Sequence, residues 1–297
     1  MAQNKLLLCV VGPTASGKTD LAIALAQHYG AEIISADSRQ VFTELNIGTA
    51  KPTPEQLSSV THHFINSQSI TQLYSAGDYA RDALGVINTL FETHNVVILC
   101  GGTGLYIKAL CEGLDDLPHA NEARRHELNH TPINELQQLL QAIDPTYYYG
   151  IDIYNTQRVV RAIEVYEVSG KPMSSFLQAQ TQQRNFSVVK VGIDIPREEL
   201  YNRINTRVDA MMHNGLLAEA QQFYNQRTLN ALKTVGYKEL HDYMDGNYPN
   251  LNEAVTKIKQ HTRNYAKRQL TWFKADNVTW VKGITEVHDL MQKLERK

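Results

Sequence analysis

The chain has few cysteines and no long apolar segment. Its 297 residues include three cysteines, Cys9, Cys100 and Cys111, without C-x-x-C spacing or histidines at metal-ligand distances. This pattern excludes a disulfide framework and an ordinary zinc site, and it predicts a reducing, cytoplasmic setting. No run of about 18 apolar residues occurs, and no cationic and hydrophobic leader precedes the first strand. We therefore expect a protein that is neither exported nor in contact with a membrane.

An excess of charge of one sign is also missing. The formal net charge is -2, which gives no reason by itself to expect a nucleic-acid partner. The distribution of charge is more informative, because residues 254–275 contain no Asp or Glu. The same stretch carries six basic residues: Lys257, Lys259, Arg263, Lys267, Arg268 and Lys274. We predict a cationic helix in a slightly acidic protein.

Residues 12–19 match the phosphate-binding loop pattern G-x-x-x-x-G-K-[ST] at every fixed position. The apolar run 6–11 before the loop predicts a buried strand, and residues 20–26 after it predict a helix. In that setting backbone N–H groups and a helix N-terminus bind phosphate, Lys18 reaches the terminal phosphate, and Thr19 ligates Mg²⁺. We predict that a phosphate or diphosphate is bound by Gly12, Pro13, Thr14, Ala15, Ser16, Gly17, Lys18 and Thr19.

Strand and helix patterns alternate at both ends of the chain. Further strands are predicted at residues 32–36, 62–65, 96–100, 188–193 and 278–281. A helix with Asp78 as its N-cap is predicted over 79–91, and another begins with Pro196 in its first turn. This order predicts an α/β fold with a P-loop-type, doubly wound, mostly parallel sheet.

The middle of the chain has a different pattern. Between about residues 112 and 184 no convincing strand is found, and helices are predicted at 122–130, 133–142 and 156–169. We predict a P-loop core domain formed by residues 1–112 and 187–297. A helical insertion domain is expected over residues 113–186.

A carboxylate follows the second predicted strand. An ordinary P-loop nucleotidase has an Asp at the end of a later hydrophobic strand, whereas the strand at 96–100 ends here in Cys100. Asp37 instead stands at a strand end where ligand groups collect in open α/β sheets. This favours group transfer over ATP hydrolysis, with a solvated turn residue or helix N-cap as the alternative role for Asp37.

Several blocks of the chain together resemble the ordered signature of bacterial tRNA dimethylallyltransferases. They are residues 12–19, 37–41, 47–52, 74–78, 101–106, 157–165, 235–240 and 262–273. The resemblance implies transfer of a dimethylallyl group from dimethylallyl diphosphate to N6 of the adenine 3′-adjacent to a tRNA anticodon. The phosphate loop would then hold a diphosphate leaving group, with Mg²⁺ as the cofactor.

The resemblance also implies roles for single residues. Asp37 would accept the N6 proton, Thr103 would contact the tRNA near the adenine, and Arg207 would help to bind the diphosphate. The adenine has to leave the base stack to react, at a cost of a few kcal/mol. The implied tRNA contacts are Asp37, Ser38, Arg39, Gln40, Thr103, Arg125, Gln157, Arg158, Val159, Val160, Arg161, Lys233 and Lys238.

Each role has a structural alternative. Thr103 could be only a helix N-cap, and Arg125 could be a solvated helix residue. Arg203 and Arg207 lie four residues apart on one helical face with Glu199, so an ordinary ladder of salt bridges is possible. The sequence leaves open which of these two arginines binds the diphosphate.

Other functions stay open as well. An isopentenyltransferase acting on free adenine nucleotides would share the loop and Asp37 but would need no tRNA grip, and the insertion argues against it. A small-molecule P-loop kinase would hold ATP in the loop. An RNA-binding protein with a relic loop is disfavoured because Lys18 and Thr19 are intact. We expect the chain to be a monomer.

Overall fold

A six-stranded parallel sheet is the framework of the fold. The computed structural model describes residues 5–115, 117–118, 121–177 and 182–295. The strands are β1 (Leu6–Val11), β2 (Ile33–Ser35), β3 (His62–His63), β4 (Val96–Gly101), β5 (Ser187–Ile193) and β6 (Thr279–Val281). The helices are α1 (Lys18–Tyr29), α2 (Pro54–Ser59), α3 (Ala76–Thr93), α4 (Gly104–Glu112), α5 (Glu122–His130), α6 (Ile133–Ile143), α7 (Pro145–Gly150), α8 (Thr156–Ser169), α9 (Arg197–His213), α10 (Leu216–Gln222), α11 (Tyr237–Met244), α12 (Leu251–Lys274) and α13 (Ile284–Glu295).

The strand order brings three loops to one edge of the sheet. The order is β3-β2-β4-β1-β5-β6, and Leu6 of β1 lies opposite Val96 of β4 and Ser187 of β5. The carboxyl ends of β1, β2 and β4 are therefore neighbours. Since ligands bind at the carboxyl ends of strands in such sheets, the turns after these three strands form the expected ligand site.

Both faces of the sheet are covered by helices. In β1, Leu7, Cys9 and Val11 pack towards α3 and α4, while Leu8 and Val10 pack towards α1 and α13. All five side chains are fully buried. A central parallel strand is buried on both sides, so its sequence is a continuous apolar run rather than an alternating one. The predicted doubly wound parallel sheet is confirmed.

The chain forms two compact units. The first, the core unit, comprises Met1–Glu112 and Gln183–Lys297, and the second, the helical unit, comprises Gly113–Gln182. The predicted second boundary lies four residues beyond the observed one. The difference has a structural reason: Arg184 donates to a carbonyl at the end of α4 at 2.9 Å, and Phe186 belongs to the buried core beside the sheet.

The helical unit contains α5 to α8, and its described residues include no strand. Helices α5 and α8 have the predicted bounds, α6 ends one residue later than predicted, and α7 was not predicted. The core of the helical unit is formed mainly by Leu128, Leu136, Leu140, Val159, Val160 and Ile163. Across the described parts of both units, each helix is too short or too polar to span a bilayer.

Two helix starts differ from the predictions. The N-cap of α3 is Ser75, whose hydroxyl accepts from the backbone N–H of Asp78. Asp78 accepts in return from the N–H of Ser75 at 3.1 Å, so it is the third helical residue of a capping box. Pro196 is the N-cap of α9 rather than a residue of its first turn. The prediction missed α13, which follows β6.

Candidate active site

The loop between β1 and α1 has the backbone shape of an anion cradle. Gly12, Ala15 and Gly17 all have positive φ values, of 144°, 64° and 91°. Helix α1 begins at Lys18, so the free N–H groups of its first turn face the loop. The hydroxyl of Ser16 is buried and has no hydrogen-bond partner among the described residues. Buried hydroxyls nearly always have a partner, which here points to a ligand oxygen.

Two cationic side chains face this loop. Lys18 Nζ donates to the carbonyl of Pro13 at 3.1 Å, and Arg207 of α9 donates to Thr14 Oγ1 at 3.3 Å. Burial lowers the pKa of Lys18 and of Arg207. Both line a cavity of about 280 Å³ beside the loop, which we call the loop cavity. Two desolvated cations beside free N–H groups favour a dianionic or trianionic group.

The structure distinguishes the two arginines of α9. Arg203 forms the i,i+4 salt bridge with Glu199 at 2.6 Å, as in the ladder alternative. Arg207 lies one turn further along and donates a hydrogen bond to the loop. Arg203 also approaches the loop, since a Cβ on Gly17 would lie 3.6 Å from its Nη1, but no hydrogen bond joins it to the loop among the described residues. The diphosphate role implied for Arg207 remains a prediction, and its geometry favours Arg207 over Arg203.

Asp37 lies in a tight turn after β2. Its Oδ1 accepts from the N–H groups of Arg39 at 2.9 Å and Gln40 at 3.3 Å. Gln40 Nε2 in turn donates to the carbonyls of Thr49 at 3.3 Å and Ala50 at 3.0 Å. Asp37 is half-buried and lines the loop cavity. The turn therefore holds the carboxylate at a fixed place and leaves it accessible to a ligand.

The glycine turn after β4 is in contact with the Asp37 turn. Thr103 Oγ1 accepts from the N–H of Ser38 at 3.0 Å, and the N–H of Thr103 donates to the carbonyl of Ala36 at 3.1 Å. A Cβ on Gly101 would lie 2.2 Å from that same carbonyl oxygen, so only glycine fits there. The hydroxyl of Thr103 therefore positions the Asp37 turn, which the N-cap alternative did not include.

A larger cavity of about 500 Å³ adjoins the loop cavity. Six residues line both: Thr14, Lys18, Asp37, Thr49, Ala50 and Arg207. The wall of the larger cavity also includes apolar side chains, namely Val208, Met211, Leu216, Val235 and Ile258. We call it the main cavity. Its combination of charged and apolar lining suits a substrate with a phosphorylated head and a hydrocarbon tail.

Helix α12 supplies residues that the sequence prediction missed. Gln269 Oε1 accepts from the N–H of Thr14 at 3.0 Å, and its Nε2 donates to the carbonyl of Gly102 at 2.8 Å. It thereby joins the phosphate loop to the second glycine turn. Tyr265 lies one turn earlier, and burial together with nearby Asp37 raises its pKa to about 12. The helical spacing of the residues lining the main cavity, Thr262, Tyr265, Gln269 and Trp272, was the available signal.

The oxygen groups near the loop fit a magnesium ion that is bound mainly through its substrate. Thr19, Asp20 and Asp37 line the loop cavity, and Cys100 stands at the end of β4. Burial raises the pKa of Cys100 to about 11, so it stays a neutral thiol. In the part of the chain that is described, no three His, Cys, Asp or Glu side chains form a metal cluster. Such a site suits Mg²⁺, because this ion usually has few protein ligands and is coordinated mainly by oxygens of phosphate and water.

Among the basic residues of the core unit, some are exposed and others are paired within the fold. Lys233 lines the main cavity and is exposed, and Lys238 is exposed in the first turn of α11. On α12, Lys259 pairs with Asp209 at 2.6 Å and belongs to the group that stabilises the fold. The exposed group on α12 consists of Lys257, Lys267, Arg268 and Lys274.

In the helical unit, two predicted tRNA-binding arginines share one buried carboxylate. Arg125 and Arg161 donate to Glu164 Oε2 at 2.6 and 2.7 Å, and the side chain of Glu164 is fully buried. Burial acts to raise the pKa of Glu164, but hydrogen bonds from the two guanidinium groups outweigh burial and lower it. Both arginines therefore stabilise this unit, and their contact with RNA remains a prediction.

The run 157–161 is amphipathic. Gln157 and Arg158 are exposed at the start of α8, as an RNA contact requires. Val159 and Val160 are 0% and 2% exposed and belong to the core of the helical unit. Their side chains therefore face the interior of the unit, and their predicted place among the tRNA contacts remains a prediction that only their backbone could meet.

Comparison with known proteins identifies the family. The IPP transferase family model matches residues 40–276. Two curated relatives named tRNA dimethylallyltransferase, from Christiangramia forsetii and Flavobacterium johnsoniae, are 46% and 47% identical and align with 99% and 97% of this chain and 99% and 96% of their own. The solved tRNA isopentenylpyrophosphate transferase of Bacillus halodurans is 37% identical, with a TM-score of 0.71 over 99% of this chain and 100% of that one. The chain therefore belongs to the IPP transferase family of tRNA dimethylallyltransferases.

Proposed function

We propose that the chain transfers a dimethylallyl group from dimethylallyl diphosphate to N6 of the adenine 3′-adjacent to a tRNA anticodon. The main support for this reaction is that Lys18, Asp37 and Arg207 line both the loop cavity and the main cavity. A diphosphate in the loop cavity and an adenine in the main cavity would then meet beside Asp37. The products are N6-isopentenyladenosine in the tRNA and diphosphate.

The core unit stabilises the leaving group. As the bond between C1 and the bridging oxygen breaks, negative charge grows on the diphosphate, and fixed donors aimed at that charge accelerate the step. The donors are Lys18, Arg207, the hydroxyls of Thr14 and Ser16, and the N–H groups at the start of α1. The apolar wall of the main cavity receives the hydrocarbon chain.

Asp37 is the proposed general base. The exocyclic N6 amine is a weak nucleophile, because its lone pair is delocalised into the ring. As N6 forms its bond to C1, it must lose a proton, and a positioned carboxylate accelerates such a transfer. The position of Asp37 supports this role, because it lines both cavities and is held by the N–H groups of Arg39 and Gln40.

Mg²⁺ is part of this proposal. Thr19 Oγ1 would hold it at the loop, and the bound ion supplies positive charge that offsets the charge of the diphosphate. Asp20 and Asp37 line the same cavity and would offer carboxylate oxygens to the bound ion.

We assign tRNA contacts to residues of both units. In the core unit they are Ser38, Arg39, Gln40, Thr103, Lys233 and Lys238, and in the helical unit they are Arg125, Gln157, Arg158 and Arg161. The target adenine is extruded from a single-stranded loop, where unstacking is least costly. Action on tRNA together with three free cysteines favours the cytoplasm, and we propose a monomer.

Incubation with labelled dimethylallyl diphosphate, Mg²⁺, and either unmodified tRNA or AMP tests the proposal. Label should appear in the tRNA, at the adenine 3′ to the anticodon, and not in AMP. Label in AMP alone would identify an adenylate isopentenyltransferase instead. ATP-dependent phosphorylation of a small acceptor, without prenyl transfer, would identify a kinase.

A further inference from the structure

The segment of residues 47–50 forms a shared wall of the two cavities. It contains the 3₁₀ turn Ile47–Thr49 and Ala50, which has a φ of 50°. Thr49 and Ala50 line both cavities. We call these residues the wall segment. A left-handed alanine is an unfavourable conformation, so the surrounding contacts must hold it in place.

Gln40 holds the wall segment on the side that faces the turn of Asp37. Gln40 Nε2 donates to the carbonyls of Thr49 and Ala50, and the N–H of Gln40 donates to Asp37. A displacement of the wall segment is therefore transmitted through a single side chain to the turn that carries Asp37.

The opposite side is held by Glu219 of α10. Its Oε2 accepts from the N–H groups of Asn46 at 3.2 Å and Ile47 at 2.9 Å, and its Oε1 accepts from Gly48 at 3.0 Å. The hydroxyl of Tyr237, a fully buried residue of α11, donates to the same Oε1. One carboxylate thus receives four donors, three of them consecutive backbone groups. Charge-assisted hydrogen bonds of this kind are about twice as strong as neutral ones.

Tyr237 also explains why residue 48 is glycine. A Cβ at Gly48 would lie 2.5 Å from Cε2 of the Tyr237 ring. The backbone of the wall segment is therefore in direct contact with the ring, and burial followed by the bond to Glu219 raises the pKa of Tyr237, which keeps its phenol protonated as a donor. Hydrogen bonds and close packing act together at this point.

We propose that Glu219 and Tyr237 are positioning residues for the transfer reaction, which set the place of the wall segment and through Gln40 the place of Asp37. The inference rests on the proposed function. Glu219 contacts neither the phosphate loop nor Lys18, so its loss should slow the chemical step and leave binding of dimethylallyl diphosphate largely unchanged.

The test combines hydrogen exchange with single-turnover kinetics at saturating tRNA and dimethylallyl diphosphate. In Glu219→Gln, an NH₂ group faces backbone N–H donors, so the amides of residues 46–48 should exchange faster. The single-turnover rate should fall about tenfold, as expected for a small misplacement of catalytic groups. The KM for dimethylallyl diphosphate should change by less than about twofold. Tyr237→Phe keeps the three hydrogen bonds that backbone N–H groups donate to Glu219 and should have the smaller effect in both measurements.

The matched control is Asp82→Asn, which removes another tyrosine-to-carboxylate hydrogen bond, from Tyr74 at 3.0 Å, outside both cavities. Its exchange at residues 46–48 and its rate should equal those of the wild type. If Glu219→Gln does not fold, Gly48→Ala decides, because it displaces the wall segment while keeping Glu219, and its rate should fall.

A wild-type single-turnover rate in Glu219→Gln would overturn the proposal. If Glu219→Gln does not fold, a wild-type rate in Gly48→Ala would overturn it. A slow Glu219→Gln whose amides at residues 46–48 exchange at the wild-type rate would also overturn it. Absence of product with the wild-type chain would instead refute the proposed function, and the exchange measurement would still report on the contacts of Glu219.

Discussion

The cations that line the cavities of the core unit and the arginines of the helical unit differ in their partners. In the core unit, Lys18 and Arg207 line the cavities, and neither has an ion pair among the described residues. In the helical unit, Arg125 and Arg161 both bind Glu164, which is fully buried. An unpaired, partly desolvated cation is unfavourable for the folded chain alone, whereas a paired buried charge is part of its stability.

Residues of one type can therefore serve two purposes: some bind a ligand, and others stabilise the fold. Ser16, whose hydroxyl has no partner among the described residues, and Lys18, whose charge has no ion pair there, mark the place where a ligand completes the structure. Side chains whose groups are fully used, such as Arg161, hold the unit together. The comparison predicts that substitutions in the first group reduce activity and leave stability unchanged, and that substitutions in the second group reduce stability first.

The largest expected effect in the core unit comes from Lys18→Ala. It removes a fixed cation from the leaving group and should lower the single-turnover rate by about 10³-fold, the upper range for loss of one such donor. The thermal midpoint should stay within about 2 °C of the wild type, since no ion pair is lost. Transfer kinetics and calorimetry check the two parts, and a large loss of stability would show that Lys18 also stabilises the fold.

The largest expected effect on stability comes from Glu164→Gln in the helical unit. It leaves two guanidinium groups without their shared buried anion, which should cost about 3 kcal/mol. Amides of α5 and α8 should exchange faster in hydrogen-exchange measurements. The control is Glu167→Gln, which breaks an exposed pair with Arg124 and should cost at most about 1 kcal/mol.

The pH dependence of the same unit provides a further check. The pKa of Glu164 is lowered in the folded chain, so its stabilisation is complete above the unfolded carboxyl pKa of about 4.3 and is lost as the pH falls through the lower folded value. Exchange protection of α5 and α8 should therefore decrease below about pH 4 in the wild type, and Glu164→Gln should lack this step. An identical acid profile in the two proteins would contradict the role of Glu164.

A smaller effect distinguishes the two arginines of α9. Arg207→Ala should lower the transfer rate about 100-fold, because it removes a donor beside Thr14. Arg203→Ala breaks the half-exposed pair with Glu199 and removes a cation near Gly17 that donates no hydrogen bond to the loop, so it should change the rate less than about threefold. Steady-state kinetics of the two variants, side by side, check this order, and a reversed order would show that Arg203 binds the diphosphate.

Much of the fold could be predicted from the sequence because its signals are local. The apolar run of β1, the glycine loop and the helical repeats of α5 and α8 each depend on neighbouring residues, and their predicted bounds agree with the structure. The start of α3 was predicted wrongly, since Ser75 and Asp78 are both good capping residues and only their reciprocal hydrogen bonds decide between them. The fold class and family are confirmed.

The site was less predictable because it depends on contacts between distant parts of the chain. Gln269 joins Thr14 to Gly102 across more than half of the sequence, and no local pattern indicates that. The Val159 side chain lies in the core of the helical unit, which the helical periodicity of the block indicates and the motif as a whole does not. The pairing of Arg125 with Glu164 likewise depends on how two helices pack.

We propose that the core unit performs the chemistry while the exposed start of α8 contributes to tRNA binding. The most direct measurement compares Asp37→Ala with Arg158→Ala, using dissociation constants for tRNA and single-turnover rates at saturating tRNA. Asp37→Ala should keep the wild-type dissociation constant and lose about 10³-fold in rate. Arg158→Ala should weaken tRNA binding with a reduced salt dependence and keep the saturated rate. A nearly normal rate in Asp37→Ala, or a slowed saturated rate in Arg158→Ala, would contradict the account.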